Sequence, residues 1–415
     1  GKNALANNTT AHNNTAVGYN SLGENTTGAN NTAVGSVALD ANTTGTNNIA
    51  IGYNALGLNT TAHNNTAVGQ SSLGANTTGS ANSALGANAL DANTTGGDNT
   101  SVGFESLSSN TTGSQNTAIG QRALFSNSTA SNNTAVGNSA LILNTTGHSN
   151  VAVGGSCLDA NTTGQDNSSV GFNAMGLNTT GSNNVAFGTS ALASNTTAGN
   201  NTAIGRSALD SNTTGSLNVA LGTTALRDNT TGSQNTGIGV NALFLNTTAN
   251  NNTAIGYNAL RENTTGTRNV AVGMAALTSN TTANDNVAIG NNVLDANTTG
   301  TANVGVGYFV LSGNTTADNN TGLGHKTLAV NTTGTQNTAV GANSLRANTT
   351  GNYNTSTGTY ALDANTTGSS NTAVGQGALF SNTTANNNTA IGFQALNVNT
   401  TGADNVALGV ESLDA

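Results

Sequence analysis

Residues 14–30 read NTAVGYNSLGENTTGAN, and residues 31–47 read NTAVGSVALDANTTGTN. The phrase then recurs along the chain. From Asn14 to Asn405 is 391 residues, or 23 steps of 17, so 24 copies of the opening phrase follow one another without an insertion. A fixed period of this kind marks a repeat architecture, in which each copy is one unit stacked on the next. The Gly, Thr and Asn load of each copy excludes a helical unit. Its β-branched residues predict an all-β fold, a parallel β-solenoid (β-roll) with one 17-residue coil per repeat and about 24 coils. At the usual strand spacing of about 4.8 Å, such a stack would be roughly 115 Å long.

The copies act as an internal alignment, so each column can be read as physics. The Gly18 column is Gly in every copy, which requires positive φ or a site with no room for a Cβ. The Val17 column holds Val, Ile, Leu or Phe with Thr357 as its one polar member, and the Leu22 column is Leu apart from Met175. These two columns are expected to form the core, with the Thr15 column on the same face as Val17. The Ala16 column faces the other way and admits nothing larger than Ser (Ser101, Ser169, Ser356). A solvated face would tolerate long side chains, so this face is expected to be covered at close range by a neighbouring chain. Two strands per coil are expected, near residues 14–18 and 21–24, with turns at Gly18 and at 25–28.

The Asn14 and Asn25 columns never vary, whereas neighbouring Asn13 gives way to Ala81, Asp98 and Leu217. Unvarying Asn predicts stacked amides, each bonding the next coil and its local backbone. The Ser21 column is restricted to small residues, with Val293, Val310 and Thr327 the largest. Cys157 falls in it and reads as a small buried substitute.

Only 6% of residues are charged, the net charge is −9, and no basic cluster is present, which disfavours nucleic acid as a partner. No apolar stretch approaches the ~20 residues needed to span a bilayer. His12, His63, His148 and His325 lie in separate repeats without metal-ligand spacing, and the first three share a variable turn column. Asp40, Asp91, Asp159 and Asp210 share one column that elsewhere holds Gly, Phe or Arg, so no repeated calcium site or paired-carboxylate site is formed. The expectation is a non-enzymatic chain with no catalytic residues, metal or cofactor. The NTT runs match a glycosylation acceptor pattern, but turn chemistry is the preferred reading.

The NTAVG and NTAIG phrases, with NVAIG at 286–290, resemble the head repeats of trimeric autotransporter adhesins of the YadA type and similar phage tail-fibre repeats. The resemblance spans essentially the whole chain, though the repeat here is longer and carries an added NTTG segment. It implies a left-handed β-roll, packing of three rolls into a rod, and contact with host surfaces. A thin core points independently to a homo-oligomer, expected to be a homotrimer. The expected role is a structural fibre or stalk of an extracellular adhesin, tail fibre or surface filament, located outside the cell, on its surface or on a virion. Its partners would be other copies of itself and a host receptor or glycan. The alternative is an ice-binding solenoid using the Thr26 and Thr27 ranks; these are adjacent, so only one can face outward. Residues 1–415 read as one continuous array without separate caps. With Gly1 in the Gly18 column and Ala415 in the Glu24 column, both ends fall within a phrase, and a longer array is expected.

Overall fold

Each repeat forms one coil of a parallel β-solenoid, built around a single strand at its Thr-Ala-Val segment. The computed structural model describes residues 1–414; Ala415 lies outside the described residues. The chain divides into two compact units, Gly1–Ser207 and Ala208–Ala415. The first carries strands β1 (Thr15–Val17) to β12 (Thr202–Ile204), and the second β13 (Val219–Leu221) to β24 (Val406–Leu408). All regular structure among the described residues is β. Within each unit, consecutive strands pair in parallel at a constant offset of one repeat: Thr15 with Thr32 and Ala16 with Ala33 in the first, Val219 with Thr236 and Ala220 with Gly237 in the second.

The structure corrects which side of the strand is the core. Ala33, Ala50 and Ala67 are completely buried, whereas Val17, Val34 and Ile51 are 56%, 36% and 40% exposed. The Val17 and Thr15 columns therefore face outward, and the Ala16 column faces the interior of its own coil. A small-only column does mean a closely covered face, as expected, but the cover comes from the same chain. An ideal Cβ at Gly237 would stand 3.3 Å from Leu226 Cγ of the preceding coil, so Ala nearly fills the space. Leu22 and its equivalents from Leu39 to Leu379 are fully buried and line the interior, as predicted. A lumen filled by Leu leaves room for Ala opposite it, but not for Val. Thr357, the polar member of the Val17 column, is exposed, which is why it is tolerated.

Several substitutions inside the lumen are matched in pairs. Ser101, Ser169 and Ser356, the three serines of the Ala16 column, each meet a polar group of the Ser21 column: Ser106, Cys157 and Ser344. Gly305 and Gly322 occur where the preceding coil carries Val293 and Val310. A Cβ at Gly305 would come within 2.5 Å of Val293 Cγ1, and one at Gly322 within 2.6 Å of Val310 Cγ1.

The second predicted strand is absent. Residues 19–24 form a turn with two left-handed residues, Asn20 (φ 51°) and Leu22 (φ 52°), and the Leu22 column repeats this at φ 50–55°. The turn still bonds along the stack: the Leu22 N–H donates to the Ala38 carbonyl of the next coil, and the Asn20 N–H to the Lys2 carbonyl of the preceding one, both at 3.0 Å. Left-handed backbone costs a non-Gly residue about 1–2 kcal/mol, offset here by complete burial of the Leu side chain. At Gly18 and its equivalents both expected reasons apply. φ lies between 123° and 142°, and a Cβ at Gly103 would meet the Gly120 carbonyl oxygen at 2.6 Å.

Both invariant Asn columns form amide ladders. Asn42 Nδ2 donates to Asn25 Oδ1 at 2.8 Å, and Asn59 Nδ2 donates to Asn42 Oδ1 at 3.0 Å. In the other column, Asn31 Oδ1 accepts from the Asn48 N–H at 2.9 Å while Asn31 Nδ2 donates to the Gly45 carbonyl at 2.8 Å. That carbonyl also accepts from Asn42 Nδ2 at 3.1 Å, so the two ladders close the corner together. Buried amides satisfied in this way cost little, while one deprived of its partners would cost much.

Candidate functional site

The reactive side chains are dispersed or closed off. Cys157 is fully buried, its Sγ donates to Ser169, and burial pushes its thiol up to about 11. His12, His63 and His148 are exposed, as expected of turn residues, and His325 is exposed as well. Among the described residues no group of three or more His, Cys, Asp or Glu is placed to hold a metal, and no helix is long and apolar enough to cross a membrane. Asp40, Asp159 and Asp210 are half-buried, and burial holds each carboxyl above its ordinary range. Asp91 instead accepts a hydrogen bond from the Ser108 hydroxyl of the next coil at 2.6 Å. No two of these four occupy neighbouring coils.

The NTT runs are also accounted for. Asn25 and its equivalents from Asn42 to Asn382 are fully buried with the amide nitrogen in the ladder, so a folded coil offers no acceptor there. Thr26 is half-buried, and its hydroxyl donates to the Thr43 carbonyl of the next coil at 3.0 Å. Thr27 alone of the pair faces fully outward.

Two kinds of surface remain. The first is the outer face of the strands, where the Thr15 and Val17 columns stand at i and i+2 in each coil. In the first unit it presents Val17, Val34, Ile49, Ile51 and Leu85, each between 36% and 56% exposed. In the second it presents Val219, Leu221, Ile255, Ile289 and Leu323. This is a regular array of β-branched and aliphatic side chains, with Thr as its main polar element. Contiguous apolar faces of this kind mark interaction sites more often than inert surface.

The second is the turn, where residues one repeat apart meet on neighbouring coils. Arg227 lies over the Phe244 ring at 3.8 Å, with Arg261 on the same ring at 5.5 Å. Tyr308 stacks on His325 with ring centroids 5.6 Å apart, at the end of the two longer strands β18 (Val304–Tyr308) and β19 (Thr321–His325). Arg346 Nε donates to Asp363 Oδ1 at 2.9 Å. Sequence reasoning passed over these groups because their columns tolerate almost any residue. The signal was present in the arithmetic: 308 and 325, or 227, 244 and 261, are whole repeats apart.

No protein-family model matches this chain, and no curated protein does either.

Proposed function

We propose that the chain is a non-enzymatic structural repeat, a stalk or fibre segment that associates with copies of itself through the outer face of its strands. The reading places it outside the cell, on a cell or virion surface, with the left-handed winding and threefold packing that the resemblance to adhesin and tail-fibre repeats implies. The observation that carries it is the outward Val17 column. An aliphatic residue recurs there on nearly every coil while the interior is completed with Ala and Leu. A strand face that only met water would be expected to carry polar residues at those positions. Covering it removes apolar surface from water at about 25 cal/mol per Å², on every coil in turn.

Replacing Val34, Ile51 and Val68 by Lys tests this. The parent should sediment as a multiple of its 40.6 kDa chain mass, and the variant as a folded single chain. A parent that sediments at 40.6 kDa at every concentration would overturn it.

One observation supports the ice-binding alternative better than the sequence did. Thr15 and Val17 both face outward at i and i+2, whereas only one of Thr26 and Thr27 does. Thermal hysteresis in the parent, lost in the same triple-Lys variant, would favour that reading over self-association.

A further inference from the structure

The Asn20 column is left-handed in every described copy, and 24 of its 25 members carry a side chain at that φ, Asn most often. The remaining member is Gly377, at φ 66°. Its backbone therefore does not require glycine. Space does not require it either, because a Cβ would meet only Gln394 Cγ, at an ordinary 3.4 Å. What the glycine does is leave a gap in an otherwise continuous column.

That gap is the floor of a cleft of about 340 Å³, at the small end of the 300–1,000 Å³ typical of ligand sites. Tyr360 and Phe380 form its aromatic walls, with ring centroids 6.3 Å apart and planes at 70°. Gln376, Gln394 and Asn397 supply amides around it. None of these residues is charged. Phe380 also differs from the other two phenylalanines of its column: Arg122 lies over Phe125 and Arg227 over Phe244, but among the described residues no cation covers Phe380.

We propose that this cleft binds a neutral hexopyranose. The C–H face of a pyranose ring is apolar and stacks on an aromatic ring, while its edge carries vicinal hydroxyls that both donate and accept. Gln and Asn amides also do both, so each can pair with two neighbouring hydroxyls. The absence of a charged lining group selects a neutral sugar over a uronic or sialic acid. The cleft lies on the turn rather than on the strand face, so its function does not require self-association.

The test is saturation-transfer NMR on the whole chain with the methyl glycosides of glucose, galactose and mannose, and with glucuronic acid as the charged comparison. At least one neutral glycoside should receive saturation on its ring protons, and more strongly than glucuronic acid. Gly377→Asn fills the gap with the commonest residue of the column, and Phe380→Ala places a residue that the Phe380 column already holds at Ala193 and Ala329. Each variant should keep the parent melting temperature and weaken binding by about tenfold or more, the loss of one good contact. Absence of saturation transfer from all three neutral glycosides would overturn the proposal. So would binding unchanged in Gly377→Asn, or glucuronic acid binding better than any neutral sugar.

Discussion

Asn65→Asp exchanges one atom group in an invariant column of the repeat, and its cost can be worked from the contacts. Asn65 is fully buried; its Oδ1 accepts from the Asn82 N–H at 2.9 Å and its Nδ2 donates to the Gly79 carbonyl at 3.0 Å. A carboxylate keeps the first bond but sets a second oxygen, without a proton, against the Gly79 oxygen. Asn76 Nδ2 still donates to that carbonyl at 2.9 Å, so the main penalty is the charge itself. The variant escapes by protonating, which restores a donor to Gly79. The folded-state pKa is thus raised above the unfolded value, so stability is intact below that value and lost as pH rises through the folded pKa. At about 1.4 kcal/mol per unit, protonation at pH 7 of a group with an ordinary pKa near 3.9 costs about 4 kcal/mol, which caps the loss. Asn64→Asp is the control: Asn64 is exposed with φ 61°, and Asp98 fills the same column at φ 58°. Thermal melts at pH 7 and pH 4, with hydrogen exchange on the coils beside residue 65, should show Asn65→Asp weakened at pH 7, recovered at pH 4, and Asn64→Asp unchanged. Equal behaviour of the two variants at pH 7 would refute the ladder as the reason for the invariant column.

Leu56→Ala should cost about 2–5 kcal/mol, as for other fully buried leucines, with faster hydrogen exchange confined to neighbouring coils; uniform acceleration along its unit would contradict nearest-neighbour stabilisation. Gly305→Ala should lower the melting temperature through an overpacking cost of about 1–3 kcal/mol against Val293, and Val293→Ala in the same chain should restore it. Asp40, Asp159, Asp210 and Asp295 all have carboxyl groups held above the ordinary 3.8 by burial. Their charged forms oppose folding, so the melting temperature should rise as pH falls from neutrality toward 3.8, and a monotonic fall on mild acidification would contradict the burial.

The period and the punctuation of the fold were legible because they depend on backbone, which the repeat exposes directly. Gly18 and the two Asn columns are invariant for reasons that a single coil already implies: a forbidden Cβ and amides that must bond the next coil. The direction of the strand was not legible. Val outranks Ala in hydrophobicity, so a core of Val17 and Leu22 is the natural reading. The interior width is set by the whole coil, however, and Leu22 leaves space for Ala16 but not for Val17. The left-handed turn was hidden by Leu22 itself, a residue that resists positive φ. The Asn and Ser content of the Asn20 column, residues that tolerate it, was the available sign. The cleft at Gly377 was legible only as a lone glycine in a permissive column, and its chemistry needed Tyr360 and Phe380 to be placed beside it.

That the Ala16 column is interior while the Val17 column is an outer face covered only by association can be tested by thiol labelling. Ala67→Cys and Val68→Cys would each be made in chains held apart by Val34→Lys and Ile51→Lys, and labelled under native conditions with buried Cys157 as the internal reference. Rapid labelling of Val68→Cys is expected in separated chains, with protection of the same thiol when Val34 and Ile51 are restored, and Ala67→Cys should be as unreactive as Cys157 throughout. Rapid labelling of Ala67→Cys with Val68→Cys protected in the separated chain would contradict this placement of the two columns.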